Sequence, residues 1–146
     1  LYIVPIAVSN FLGPLLLGKY FDTVGRRPMI AFTYIVSGVS LAISGALFAS
    51  GALTSVTQMF SWSFVFFFAS AGASAAYLTV SEIFPLEIRA MAIAFFFVIG
   101  QGAGVLAPWI FGMLVEDSRQ SVFYGNLAGA ACMVVGGLVA LRYGVA

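Results

Sequence analysis

The sequence predicts an all-α polytopic membrane protein with five transmembrane helices. Three observations carry that prediction. The first is composition: of 146 residues, 62% are hydrophobic and 8% charged, with a mean hydropathy of +1.11. A soluble domain carries about 25% charged residues. The second is spacing: no charge occurs at 1–18, 28–81, 90–115 or 120–141. An uncharged apolar run of about 20 residues is long enough to cross the hydrocarbon core as a helix. The third is clustering, since Lys19, Asp22, Arg26 and Arg27 share one short hinge between two such runs.

The first span, 1–18, holds Pro5, Asn10, Gly13 and Pro14, which predicts a bent helix with one buried amide. It ends at the hinge Gly18-Lys19-Tyr20-Phe21-Asp22-Thr23-Val24-Gly25-Arg26-Arg27-Pro28. There Asp22 can cap a helix start and Gly25 can supply a positive φ. The second span, 29–50, carries Thr33, Ser37, Ser40 and Ser44 on one helical stripe, read as small-residue packing. The uncharged run from Pro28 to Ser81 is too long for one helix and breaks near Ser50-Gly51. The third span, 56–81, places Ser70, Ser74, Tyr77 and Ser81 on another stripe. In lipid that stripe must face protein or a water-filled cavity. Tyr77 adds a ring and a hydroxyl suited to a polar ligand.

The fourth span, 90–115, contains Gly100-Gln101-Gly102-Ala103-Gly104 and then Pro108-Trp109. Alternating glycines weaken a helix and allow close approach, and Pro108 invites a kink. Gln101 either bridges helices or faces a substrate. The fifth span, 121–141, has Gly125 and Gly129 at packing distance, and Cys132 reads as a small packing residue.

Basic residues set the expected orientation. With the 19–28 turn inside, Lys19, Arg26, Arg27, Arg89 and Arg142 are cytoplasmic and Arg119 is outside, as the positive-inside rule expects. The Glu82–Arg89 turn is then internal. The 51–55 and Glu116–Arg119 turns are external. No basic patch fits nucleic acid. With no His and one Cys, neither a metal cluster, a disulfide nor a Cys-His pair is expected. No cofactor and no enzyme activity are expected either. No ionisable residue lies mid-membrane, so a proton-coupling carboxylate is not expected in these spans. The chain opens at Leu1 with neither an initiator Met nor a visible signal peptide, and reads as part of something longer.

The hinge Gly18–Pro28 resembles the G-x-x-x-D-x-x-G-R-R-P loop of the major facilitator superfamily. Ser81-Glu82-Ile83-Phe84-Pro85-Leu86-Glu87-Ile88-Arg89 resembles the E-x-F-P-x-x-x-R motif of its sugar-porter-like branches. The resemblance covers the whole chain. It implies one part of a 12-helix transporter built from two six-helix bundles, with substrate held between them. Sugar porters usually carry an Arg in helix 4 and a Pro-Glu-Ser-Pro run after helix 6. Neither is found here, so the resemblance assigns these spans to helices 8–12, in the carboxyl-terminal half. The sugar-contacting positions depart from the family's pattern: Tyr77 stands where Trp is usual, and Gly100, Gln101 and Gly104 stand where Asn and Trp are usual.

The resemblance implies secondary active or facilitated transport of a small polar organic solute, sugar-like in character, by alternating access. Gly18, Asp22, Gly25, Arg26, Arg27, Glu82, Pro85 and Arg89 are the expected cytoplasmic gate. Tyr77, Ser74, Gln101, Asn10 and Trp109 are the expected substrate contacts. Lys19 is read as setting topology and Glu87 as solvated or facing lipid headgroups. Expected partners are the bilayer of the plasma (cell inner) membrane, the solute and the amino-terminal half, without which these spans would be inactive. Two alternatives stay open: a metabolite–proton symporter or drug exporter of the same superfamily, and a non-transporting membrane sensor or scaffold on the same fold.

Overall fold

The computed structural model describes residues 3–114 and 119–144. Five helices follow one another: α1 (Ile3–Val24), α2 (Arg26–Ala49), α3 (Ser55–Ile83), α4 (Leu86–Leu114) and α5 (Arg119–Tyr143). All five are long and apolar enough to cross a membrane. The Glu116–Asp117 turn expected between the last two spans lies outside the described residues.

The helices overrun the spans expected from hydropathy. α1 continues through Lys19 and Asp22 to Val24, and α2 starts at Arg26 rather than 29. α3 continues through Glu82 to Ile83, and α4 starts at Leu86 rather than 90. Hydropathy marks where side chains prefer lipid, whereas a helix continues while each added residue gains a backbone hydrogen bond. The 29-residue α3 is roughly 44 Å long at about 1.5 Å per residue, against a hydrocarbon core of about 30 Å. It is therefore long enough to carry its charged end past the lipid tails.

The long polar hinge accordingly shrinks to one joint, Gly25, with φ 105. A side chain at that φ would be strained, which is why glycine stands there. Gly25 is also the N-cap of α2, and no side chain caps this end. Asp22 lies inside α1 and does not cap the helix, contrary to expectation. Pro28 sits in the first turn of α2, where its missing N–H is tolerated.

The break at 50–54 falls where expected. Gly51 takes φ 81, its N–H donates to the Phe48 carbonyl, and the Ala52 N–H donates to Leu47. This pattern closes a helix with a left-handed glycine. Thr54 then caps α3 by accepting from the Thr57 N–H.

α2 packs most extensively on α5, α1 on α3, and α2 also on α3. Phe21, Ile30, Ala71 and Ala75 form a small core beneath the charged end, flanked by Leu17, Met29, Tyr34 and Ala140. The Thr33–Ser44 stripe is a packing stripe. Thr33 and Ser37 are 0% exposed. Ser37 Oγ donates to the Thr33 carbonyl at 2.7 Å and reaches Val65 O on α3 at 3.3 Å. Gly125 packs on the Phe111 ring and Gly129 faces Leu41, as their spacing suggested.

Two expectations for individual side chains need correction. Asn10 is exposed rather than a buried amide; it is its carbonyl that α3 engages, through Ser70 Oγ at 2.7 Å. Cys132 is likewise exposed, because it lies on the side of α5 away from α2. α4 differs from the other helices: none of its described residues is buried. Its apolar side chains need lipid or further protein around them.

Candidate functional site

The two charged segments, far apart in sequence, meet at one end of the bundle. Arg26 opens α2 and Glu82 closes α3, both within one turn of a helix end. Arg26 Nη2 donates to Glu82 Oε1 at 2.7 Å, and Nη1 donates to Oε2. This is the two-pronged fork in which a guanidinium and a carboxylate match best. The Arg26 side chain is 23% exposed and that of Glu82 59%, so the pair is wet on the carboxylate side.

Asp22, one turn before the joint, stands 4.0 Å from Arg26 Nη2 and is 75% exposed. It is the weaker of the two acidic neighbours of Arg26. The hydrogen-bonded Arg26 guanidinium holds the Glu82 carboxyl below the usual glutamate range, against a smaller desolvation effect, and Arg89 adds in the same direction. Glu82 follows the uncharged run, one residue before the end of α3. Phe21, Asp22, Gly25, Arg26, Thr79, Glu82 and Ile83 line an open cleft of about 640 Å³ at this end.

Pro85 and Arg89 shape the joint between α3 and α4. Phe84 is extended, with φ −91 and ψ 140, as a residue before proline prefers. The Pro85 carbonyl accepts from the Ile88 and Arg89 N–H groups and starts α4. Arg89 Nε donates to the Phe84 carbonyl at 3.4 Å. Arg89 thus braces the turn and acts on Glu82 only through space. A Cβ at Gly18 would meet nothing within 4 Å, so no contact requires glycine there.

Arg27 is adjacent to Arg26 but does a different job. Its Nε donates to the Leu141 carbonyl and its Nη2 to the Arg142 carbonyl at 3.3 Å. The last carbonyls of a helix have no partner within it, and a cation there also matches the helix dipole. Arg27 therefore caps α5 instead of joining the ion pair. The double arginine was the one signal for this, and it does not say which residue faces which helix.

The expected substrate contacts are spread over three helices. Ser74 lines a cavity of about 170 Å³ with Asp22 and Arg26, beside Ala71 and Leu78. Tyr77 faces α4, its ring 5.8 Å from that of Phe97. Gln101 is exposed on α4, Asn10 on α1, and Trp109 is 63% exposed. Tyr77 therefore lies on the α3–α4 contact, whereas Ser74 opens toward the charged end.

Sequence reading passed over a buried amide cluster at the opposite end of the bundle. Gln58 is 4% exposed. With the amide oriented so that each atom meets a complementary partner, its NH₂ donates to the Ser44 carbonyl at 3.2 Å and its oxygen accepts from Trp62 Nε1 at 3.0 Å. A lone amide in an apolar span was the available signal.

Residues 2–143 match the model of the sugar (and other) transporter family. The chain belongs to that family. No curated protein and no solved structure matches it. Family members are transporters of the major facilitator type rather than enzymes. A chain of this family with five membrane-length helices is an integral membrane protein.

Proposed function

We propose that these five helices are helices 8–12 of a transporter that carries a small polar, sugar-like solute by alternating access. The Arg26–Glu82 fork is the observation that carries this reading, because it joins both motif segments at one end of the bundle. In this reading that end is cytoplasmic. The fork latches α2 to α3 there, and Asp22 offers Arg26 a second, more exposed partner. A half-exposed ion pair suits a gate: water competes for it when the cleft opens and is expelled when it closes. Such a device biases two conformations whose free energies differ by a few kcal/mol.

Tyr77, Gln101 and Ser74 are the nearer substrate contacts, with Asn10 and Trp109 behind them. Tyr77 offers ring stacking and a hydroxyl, and Gln101 offers two donors and an acceptor. The amino-terminal bundle supplies the other wall of the path, and the bilayer of the plasma membrane surrounds both.

Uptake by the full-length protein tests this reading. Radiolabelled D-glucose, D-xylose, D-fructose and myo-inositol are offered to vesicles with and without a pH gradient. Saturable uptake of at least one, lost in Glu82→Ala at normal membrane abundance, is the expected result. Uptake that Glu82→Ala leaves unchanged would remove the latch. A complete absence of saturable uptake would favour the sensor or scaffold reading.

A further inference from the structure

Three glycines alternate in α4 and differ in what surrounds them. A Cβ at Gly100 would lie 3.1 Å from the Tyr77 hydroxyl oxygen. At Gly102 it would meet nothing within 4 Å, and at Gly104 only Gln101 Oε1 of its own helix, at 3.7 Å. Phe97 stands one turn before Gly100 on the same side of α4. Its ring is tilted 46° against that of Tyr77, with centroids 5.8 Å apart. Tyr77 thus lies across α4, its ring on Phe97 and its hydroxyl over bare backbone at Gly100.

We infer that Gly100 is a positioning residue for Tyr77, and that the missing side chain at 100 fixes how far the phenol reaches and so which polar solutes it fits. The inference rests on Tyr77 being a substrate contact. Its physical basis is local. The hydroxyl is the far end of a side chain that swings about two dihedrals, so a methyl group at 100 displaces it rather than unfolding the helix. A hydrogen bond through that hydroxyl tolerates little displacement, because its strength depends on distance and angle. Alanine also favours a helix more than glycine does, so helix propensity does not explain glycine at 100.

A double-mutant cycle in the full-length transporter tests this, using whichever of D-glucose, D-xylose, D-fructose and myo-inositol is taken up fastest. KM and Vmax per surface-exposed molecule are measured for Gly100→Ala, Gly102→Ala, Tyr77→Phe and the Gly100→Ala/Tyr77→Phe pair. Tyr77→Phe is expected to change KM. Gly100→Ala is expected to raise KM by up to about tenfold, the worth of one neutral hydrogen bond, with Vmax little changed. Gly102→Ala should match wild type. In the Tyr77→Phe background Gly100→Ala should add nothing, because the atom it would touch is gone.

A Gly100→Ala effect of equal size in both backgrounds overturns the inference, since Gly100 would then act through its own helix. So does a Gly100→Ala indistinguishable from Gly102→Ala while Tyr77→Phe shifts KM. An unchanged KM in Tyr77→Phe removes the substrate-contact reading itself, and this inference with it. Phe97→Leu approaches Tyr77 from its other side and covers the case of a Gly100 variant that does not reach the membrane. It should shift KM only while Tyr77 keeps its hydroxyl, and an unchanged KM in Phe97→Leu overturns the proposal.

Discussion

α2 makes two joins of opposite character. Along its apolar length α2 meets α5 through closely packed, uncharged side chains. A Cβ at Gly38 would lie 2.8 Å from Val134 Cγ2, and one at Gly137 would lie 2.8 Å from Ile35 Cγ1. Ala31 and Ala130 are buried between the two helices. Toward the end of α3 the join is the Arg26–Glu82 fork, which lines an open cleft. Close backbone packing is built from many weak contacts that vanish once the surfaces part. An exposed ion pair exchanges protein partners for water at little net cost. The first kind of join holds two helices as one body, whereas the second can open and close. In the proposed transporter, the rigid part and the moving gate would rest on different chemistries.

The sharpest way to break the contrast is to overfill the dry join. In Gly137→Val even the first added carbon meets Ile35 Cγ1 at 2.8 Å and the Ala31 carbonyl oxygen at 3.1 Å. Overpacking of this kind costs typically 1–3 kcal/mol, and more where backbone cannot move. Membrane abundance and Tm should both fall, while the surviving molecules keep their KM. Gly136→Val is the paired control, since a Cβ there meets nothing within 4 Å. Equal abundance for the two variants would show that the α2–α5 seam is not tightly closed.

The ion pair is expected to behave in the opposite way. Glu82→Arg should leave abundance near normal and reduce transport on the order of tenfold, as expected when one of two conformations loses its bias. Adding Arg26→Glu should restore part of the rate, since the exchanged pair can form the same contact in reverse. If the swap recovers nothing, the two residues act separately.

Much of this architecture is legible in the sequence, because it follows from local rules. Charge-free runs mark the spans, and Ser50-Gly51 marks the break because only glycine takes that φ without strain. The two motif segments read as one charged latch, and Arg26 and Glu82 do meet. What the sequence hid depends on helix rotation. Arg26 and Arg27 are neighbours, but on a helix of 3.6 residues per turn they point about 100° apart, one toward α3 and the other toward α5. Asn10 and Cys132 are exposed for the same reason: hydropathy does not show which face of an apolar helix meets protein. Gln58 is buried among partners that no local pattern announces.

Arg27 sharpens the contrast because it is a charge that belongs to the permanent join. Its bonds go to backbone carbonyls of α5, not to a carboxylate. Arg27→Ala should cost about 1.5–3 kcal/mol of stability, the range for hydrogen bonds involving a charged group. The measurement is Tm of the purified full-length protein, with KM as the companion readout. A lower Tm with unchanged KM assigns Arg27 to the scaffold. A changed KM with unchanged Tm would return it to the gate with Arg26.

The smallest effect expected is that of pH, and it isolates Glu82. Arg26 holds the Glu82 carboxyl below the usual glutamate range. A group whose folded pKa is depressed contributes stability that is present above its unfolded pKa, about 4.3, and lost as pH falls through the folded value. The chain has no histidine, the one side chain that ordinarily changes charge between about pH 5 and 8. The difference in Tm between wild type and Glu82→Gln should therefore be flat from about pH 8 to 5 and shrink only in stronger acid. Because both curves come from the full-length protein, titrating groups elsewhere cancel in the difference. A difference that grows or falls between about pH 5 and 7 would mean that Glu82 answers to a titrating neighbour beyond Arg26.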